Sequence, residues 1–249
     1  MKFFIKKILK FLGYELIRHN PNVYRIDSQQ FIPIKNNDKD WKINIEGFKK
    51  SKNIYDDFFT KIRFYSTTQL VKYILKKKKL YDFAECGCWR GHSSYIIAEL
   101  IKKRKVNFHI FDSFEGLSSS SKLDGFFFFR SDKNRITKQF ASDEFFVRNF
   151  VLKKFNFVKT YKGWIPSRFK EVKNKKFSFV HIDLCLYKPT LEALKFFYPR
   201  LVKGGIIVSN VYNSSVFPGE TRAWNEYFKN EKNNFFFKHA LNQCFLIKN

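Results

Sequence analysis

The chain has 249 residues, and its 48 Lys and Arg against 22 Asp and Glu give it a formal net charge of +26. Hydrophobic residues make up 44% of it, and Gly and Pro number only 10 and 6, which excludes a disordered or collagen-like protein. The charge excludes an acidic tail protein. A solvated basic surface and a polyanionic partner, such as nucleic acid, anionic lipid or a phosphorylated glycan, both stay open.

Residues 1–18 have the pattern of a short basic amphipathic helix. Apolar side chains recur at intervals of three and four residues, and the lysines among them exclude the uncharged centre of a secretory signal. Such a helix suits either an anionic membrane surface or the cap of a domain or dimer partner. Residues 20–50 are polar and show no sustained period, which predicts a connecting arm. We therefore divide the chain into an appendage, 1–50, and a folded domain, 51–249.

The cysteine pattern and the hydropathy indicate the compartment. Cys86, Cys88, Cys185 and Cys244 form no CxxC pair and no Cys/His metal spacing, which fits a reducing environment and implies no structural zinc. Apolar stretches are interrupted before the roughly 20 residues that a membrane span needs. We expect a cytoplasmic protein, with peripheral attachment at the inner face of the membrane as an open alternative.

The pattern after the arm predicts an α/β fold. A helix at 54–75 precedes short apolar runs that alternate with amphipathic segments, as in a mainly parallel sheet covered by helices on both faces. The predicted strands are 80–86, 106–111, 156–161, 177–184 and 204–209, and the predicted helices are 91–103, 143–154, 189–201 and 220–229. Short strands at 235–237 and 244–247 predict an antiparallel pair at one edge.

The ends of the first two strands carry the residues of a ligand site. The first strand runs into ECGCWRG at residues 85–91, and the second ends in FDS at residues 111–113. Carboxyl ends of parallel strands meet at one crevice, where glycine lets the backbone approach a ligand. Asp112 is placed to hold a ribose diol. The absence of GxGxxG and of a P-loop pattern disfavours dinucleotides and nucleotide triphosphates, so a nucleoside without phosphates fits better.

The E-x-G-x-x-x-G pattern with its following D-S-F resembles the glycine-rich loop of class I methyltransferases, which bind S-adenosylmethionine. Over about residues 80–228 the chain is similar to the macrocin O-methyltransferase (TylF/MycF) family. The segments that carry the resemblance are FDSFEGL at 111–117, VRNF at 147–150, GW at 163–164, HIDLCLYKPT at 181–190, and YPRL with the GG pair at 198–205. The resemblance implies a Rossmann-like fold and methylation of a sugar hydroxyl with S-adenosylmethionine and a divalent metal, usually Mg²⁺.

The resemblance also implies which residues form the site. Trp164 would lie near the adenine. Independently of the resemblance, Asp183 and His181 are candidate general bases for an acceptor hydroxyl. His181 lies inside an apolar strand and is also explained as a packed side chain, and Asp183 as a helix cap. The residues that would hold the cofactor are Glu85, Gly87, Gly91, Ser93, Asp112 and Ser113.

The chain departs from the family at the metal site. The family pattern D-x-D-L-Y is Asp183-Leu184-Cys185-Leu186-Tyr187 here, and a later D-D-Y is Asn210-Val211-Tyr212. Mg²⁺ needs hard oxygen ligands, so Asp183 alone would bind it poorly. Three interpretations stay open: transfer without a metal, with Asp183 or His181 as base; a new set of metal ligands; or a domain that binds the cofactor without turnover.

The acceptor and the partners are less defined. We expect a hydroxyl of a glycan or glycan precursor, linked to lipid or phosphate, and a homo-oligomer stays open. Nucleic acid is disfavoured because the chain lacks a base-flipping motif and its basic residues are scattered. The insert at 117–141, with four serines and then four phenylalanines at 126–129, predicts a lid, a docking surface or a local mini-core.

Overall fold

The computed structural model describes residues 38–54, 58–125, 138, 140–231, 235–239 and 241–249. The predicted helix at 1–18, most of the predicted arm and the phenylalanines at 126–129 lie outside these ranges. Within them, no helix combines the length and the apolar character that crossing a bilayer requires.

One seven-stranded mixed sheet organises the described chain. Its spatial order is β3-β2-β1-β4-β5-β7-β6. β1 to β5 run parallel, while β7 is antiparallel to β5, and β6 is antiparallel to β7. The predicted α/β class and the antiparallel edge pair are therefore confirmed. The strands are β1 (Asp82–Cys86), β2 (Phe108–Asp112), β3 (Val158–Lys162), β4 (Phe177–Ile182), β5 (Leu201–Ser209), β6 (Phe235–His239) and β7 (Gln243–Ile247).

Helices connect the strands and cover both faces of the sheet, as predicted. The fourth helix is a single turn that continues as a π-helical turn, Val147–Val151. Short 3₁₀ turns lie at Lys122–Asp124 and Phe169–Val172. The helices are α1 (Lys39–Lys50), α2 (Phe58–Ile74), α3 (His92–Ile101), α4 (Glu144–Phe146), α5 (Tyr187–Arg200) and α6 (Pro218–Tyr227).

Helix α1 corrects the sequence prediction, because residues 39–50 were expected to belong to an irregular arm. Asp38 caps the helix by accepting from the backbone N–H of Trp41 at 2.8 Å. The fully buried Asn44 donates from Nδ2 to the carbonyl oxygen of Lys61 at 2.6 Å, so α1 is tied to α2. The division of the chain at residue 50 stays a prediction.

Two hydrophobic layers result from the alternation of side chains along the strands. Phe83 packs in a cluster with α2 and α3, whereas its neighbour Ala84 faces the opposite cluster, which contains α5 and α6. The four cysteines are all buried and free. Because both faces of the parallel strands are covered, ligands have access to the sheet at its carboxyl edge.

Candidate active site

A cavity of about 470 Å³ lies at the carboxyl ends of β1 to β5, within the size range of small-molecule sites. The loops that leave the strands are held to one another by backbone bonds. Gly87 donates to the carbonyl oxygen of Phe111 at 2.9 Å, and Asp183 donates to that of Cys86 at 2.9 Å. The residues that follow β1, β2 and β4 therefore form one continuous wall.

Gly87 sits where the loop after β1 passes closest to the loop after β4. Its φ is +83°, and a Cβ there would lie 2.1 Å from the carbonyl oxygen of Asp183. Only glycine fits both constraints. Gly91, with φ +82°, starts α3 and packs against Val147 and Val151. Gly87 therefore lines the cavity, whereas Gly91 shapes the turn behind it.

Asp112 closes the loop after β1. Its Oδ2 accepts from the backbone N–H groups of Cys88 at 2.7 Å and Trp89 at 2.9 Å, and its Oδ1 accepts from Phe114 N–H at 2.7 Å. Burial raises the pKa of Asp112, although these three bonds oppose the shift. A carboxylate offers about four acceptor positions, and the fourth is taken here by the Cys88 thiol, a weak donor that a ligand hydroxyl would displace. The sequence predicted the ligand position but not the bonds to the loop.

Other predicted cofactor residues also line this wall. Ser113 accepts from Glu115 N–H at 3.1 Å and donates to the carbonyl oxygen of Gly116 at 3.0 Å, which fixes the turn after β2. Trp164 is 39% exposed and presents an aromatic ring to the cavity, and Ser93 lines it from the first turn of α3. The structure therefore brings five of the predicted cofactor residues together: Gly87, Ser93, Asp112, Ser113 and Trp164.

Glu85 and His181 do not line the cavity. Both are fully buried side by side on β1 and β4, with His181 Nδ1 and Glu85 Oε1 2.8 Å apart, and Ser94 of α3 also donates to Glu85. Burial has the largest single effect and lowers the pKa of His181, but the bond to Glu85, the charges of Glu85 and Asp183 and the contact with Asn210 together outweigh it, so the net shift is upward. This pair lies between the sheet and α3. The structure thus places a predicted cofactor ligand and a predicted base in the core.

Asp183 does reach the cavity, next to Gly87. Burial raises the pKa of its carboxyl, while the nearby His181 and Arg63 oppose the shift. A carboxylate with a raised pKa at a cavity wall is a suitable proton acceptor. Of the two predicted bases, Asp183 lines the cavity and His181 does not.

The positions beside Asp183 do not fit a divalent metal. Asn210 is 2% exposed, and its side-chain oxygen accepts from Gln243 Nε2 at 2.8 Å. Val211 supplies no ligand, and among the described residues no group of three or more His, Cys, Asp or Glu could hold a metal ion. One carboxylate is too few for Mg²⁺, so the described residues here do not fit this metal.

A second carboxyl lies behind the loop after β4 and was missed from the sequence. Glu220 of α6 is fully buried, accepts from Cys185 N–H at 2.8 Å and Leu184 N–H at 3.2 Å, and contacts the hydroxyl of Ser209. Burial, with the charge of Asp183, raises its pKa to about 8. Nothing in a helix-start pattern marks such an acid as buried. It anchors the loop in which Cys185 replaces a family acid.

The amino-terminal helices contribute a wall that was also missed. Arg63 and Phe64 of α2 line the cavity, together with Asn53 and His92. His92 Nε2 lies 3.0 Å from both oxygens of Asn44, and its Nδ1 lies 3.2 Å from Asn53 Nδ2. Burial lowers the pKa of His92 to about 4, so it is neutral. These contacts join distant segments, so no local sequence pattern reports them.

Part of the predicted lid contributes to the cavity. Leu117, Ser118 and Phe140 line it. Asp124 is buried and accepts from the backbone N–H of Tyr187 at 2.6 Å, which fixes the segment before residue 126 on α5. The lid interpretation stays a prediction because residues 126–137 are not described.

Comparisons with known proteins agree on the type of protein. The model of a family described as macrocin-O-methyltransferase (TylF) matches residues 22–238. The demethyldecarbamoylnovobiocin O-methyltransferase of Streptomyces niveus is 23% identical over 221 residues, which is 83% of this chain and 77% of that protein.

Two solved structures share the fold of a class I Rossmann-like methyltransferase. The O-methyltransferase NovP has a TM-score of 0.63 at 21% identity and covers 82% of this chain and 87% of its own. CalS11, a calicheamicin methyltransferase also described as a TDP-rhamnose 3'-O-methyltransferase, has a TM-score of 0.60 at 15% identity and covers 90% and 98%.

Proposed function

Because the chain belongs to the macrocin O-methyltransferase (TylF) family, whose model matches residues 22–238, it is a methyltransferase that depends on S-adenosylmethionine, and we propose that its acceptor is a saccharide hydroxyl. The observation that carries the proposal is the position of Asp183, a carboxylate beside the glycine turn of the cofactor loop. The description of CalS11 as a TDP-rhamnose methyltransferase supports a sugar acceptor.

The cavity wall formed by the ends of β1, β2 and β3 suits the cofactor. Gly87 keeps the loop free of a side chain, Asp112 presents a carboxylate to the cavity, and Trp164 offers a flat ring. In our proposal Asp112 holds one ribose hydroxyl, Trp164 packs near the adenine, and Ser93 and Ser113 supply polar contacts. Glu85 and Gly91 act indirectly, by shaping the loop.

When bound, S-adenosylmethionine supplies a methyl group that an acceptor oxygen attacks in line, with the C–S electron pair returning to sulfur. Asp183 takes the hydroxyl proton, which makes that oxygen a better nucleophile and contributes about 10²- to 10⁴-fold. The raised pKa of Asp183, caused by burial, strengthens it as a base. The cavity walls contribute by alignment, which counts for much in such a displacement.

The acceptor that we propose is a nucleotide-linked or lipid-phosphate-linked sugar. The net charge of +26 favours a ligand that carries phosphate, because a basic surface raises the local concentration of anions. The predicted helix at 1–18 would add contact with anionic lipid. The assay below distinguishes a nucleotide-linked acceptor from a lipid-linked acceptor.

The test is methyl transfer from tritiated S-adenosylmethionine to a panel of nucleotide sugars and lipid-linked glycan extracts. We expect product with at least one sugar acceptor and a loss of about 10²-fold or more in Asp183→Asn, while calorimetry shows unchanged binding of S-adenosylhomocysteine. Asp143→Asn, which removes an exposed carboxylate at the start of α4, is the matched control. Full activity in Asp183→Asn would contradict the role of this residue.

The replaced acids at Cys185, Asn210 and Val211 also favour a second candidate, a domain that binds the cofactor without turnover. It predicts calorimetric binding of S-adenosylhomocysteine and no methyl transfer to any acceptor, with or without Mg²⁺. Transfer to a single sugar acceptor would exclude it.

A further inference from the structure

Arg63 of α2 brings a guanidinium to the cavity wall beside one of the replaced family acids. Its Nη1 donates to the carbonyl oxygen of Asn210 at 3.0 Å, and its Nη2 donates to Thr60 Oγ1 at 3.1 Å. Asn210 occupies the first position of the family's D-D-Y pattern. A fixed positive charge thus lies where the chain has lost ligands for a divalent cation.

The charge of Arg63 acts on the two remaining positions of the same site. It opposes the upward shift that burial causes in the pKa of Asp183, and it does the same for the Cys185 thiol. Arg63 and Asp183 both line the cavity. The guanidinium and the carboxylate are therefore the two charged groups that the chain itself supplies at these positions.

The chemistry of a guanidinium explains why such a site does not need several acids. A divalent ion must be held by anionic oxygens, whereas an arginine side chain is attached covalently and stays charged in proteins. It has five N–H donors, of which two are engaged within the described part of the chain. Donors therefore remain for an oxygen of a ligand.

We propose that Arg63 takes the place of the divalent cation that the family resemblance implies, by holding the acceptor hydroxyl beside Asp183 and stabilising the negative charge that develops on its oxygen. The inference rests on the proposed function, since the hydroxyl is the acceptor of that reaction. It makes methyl transfer independent of metal. Loss of one such donor costs about 10²- to 10³-fold in turnover in other enzymes, and we expect a loss of that size in Arg63→Met.

The first test measures metal binding and needs no acceptor. Mn²⁺ alone is titrated into the full chain and followed by electron paramagnetic resonance. We compare the unchanged chain, Asn210→Asp/Val211→Asp, and the triple variant that adds Arg63→Met. We expect no binding by the unchanged chain, weak binding by the double variant, and at least about tenfold tighter binding by the triple variant, because the guanidinium repels the ion.

A matched control separates the position of the charge from its sign. The control is Lys61→Met, which removes a cation from the same helix; the Lys61 ammonium lies 5.1 Å from the centre of the Phe48 ring. Added to the double variant, this substitution should leave Mn²⁺ binding unchanged within about twofold. Retained calorimetric binding of S-adenosylhomocysteine shows that each variant is folded. Stoichiometric Mn²⁺ binding by the unchanged chain, or equal affinities of the double and triple variants, would overturn the proposal.

The second test uses the acceptor found in the transfer assay. We expect full activity in excess EDTA and a lower kcat in Arg63→Met with an unchanged KM for S-adenosylmethionine. Arg63→Lys should recover part of the kcat, because it keeps the charge but not the fork of donors. Activity that EDTA abolishes and Mg²⁺ restores refutes the inference and leaves the proposed function standing. A chain that neither transfers methyl groups nor binds S-adenosylhomocysteine refutes the proposed function, while the Mn²⁺ titration still decides the inference.

Discussion

Replacement of Glu220 by Gln should remove a pH-dependent part of the stability. The buried carboxyl has its pKa raised from 4.5 to about 8, so between these values the folded chain holds a proton that the unfolded chain releases. Its contribution is complete below pH 4.5 and is lost as the pH rises through 8. Between pH 5 and pH 8 this amounts to about 3–4 kcal/mol of unfolding free energy.

The structure shows why Gln is a suitable replacement. The carboxamide oxygen can accept from Cys185 and Leu184 as the carboxyl does, and its NH₂ can donate to Ser209. We expect the two proteins to differ little at pH 5 and the variant to be the more stable at pH 8, by about 3 kcal/mol.

The assay is urea unfolding at pH 5, 6, 7 and 8. The quantity compared is the difference in unfolding free energy between the variant and the unchanged chain, because the contributions of other titrating groups largely cancel in this difference. Glu226→Gln removes an exposed carboxylate from the same helix, α6, and serves as the control. A difference for Glu220→Gln that stays constant within about 1 kcal/mol across this range would show that Glu220 is not protonated in the folded chain.

Further substitutions test the cofactor loop. Gly87→Ala forces a Cβ to within 2.1 Å of the Asp183 carbonyl oxygen at φ +83°, and we expect a loss of more than about 2 kcal/mol in urea unfolding, with calorimetric affinity for S-adenosylhomocysteine at least about tenfold lower. Asp112→Asn places an NH₂ group against backbone N–H donors that bond to a carboxylate in the unchanged chain. The affinity for S-adenosylhomocysteine should therefore fall by about tenfold or more, and an unchanged affinity would contradict the role of Asp112. Trp164→Ala, at an exposed wall position, should weaken the nucleoside by about threefold to tenfold with no change in unfolding midpoint.

The sheet could be predicted because its signals are local. The predicted strands 80–86 and 177–184 are mostly apolar over a strand length, and they contain the observed β1 and β4. Gly87 and Asp112 follow from the rule that ligands bind at the carboxyl ends of parallel strands. Helix α1 also has a local signal that the sequence analysis missed, because Trp41, Ile45 and Phe48 recur at i, i+4 and i+7 after the capping residue Asp38. Its buried contacts with the distant His92 could not be predicted from a local pattern.

The remaining site residues depend on contacts between distant segments. Glu85 has the sequence position of a ligand residue. Its neighbour in register on β4 is His181, and the two side chains contact each other in the core instead of the cavity. Arg63 belongs to a helix that was predicted, and only the packing of α2 against the sheet shows that its guanidinium reaches Asn210. Glu220 becomes a site residue because α6 packs behind the loop after β4.

A crystal structure of the chain soaked with S-adenosylhomocysteine tests the central claim most directly. The account predicts the adenosine between Asp112 and Trp164, above the Gly87 turn, with the sulfur facing the side of the cavity that holds Asp183 and Arg63. Density for the ligand at any other place, or a cavity that stays closed by its own side chains at saturating ligand, would contradict it.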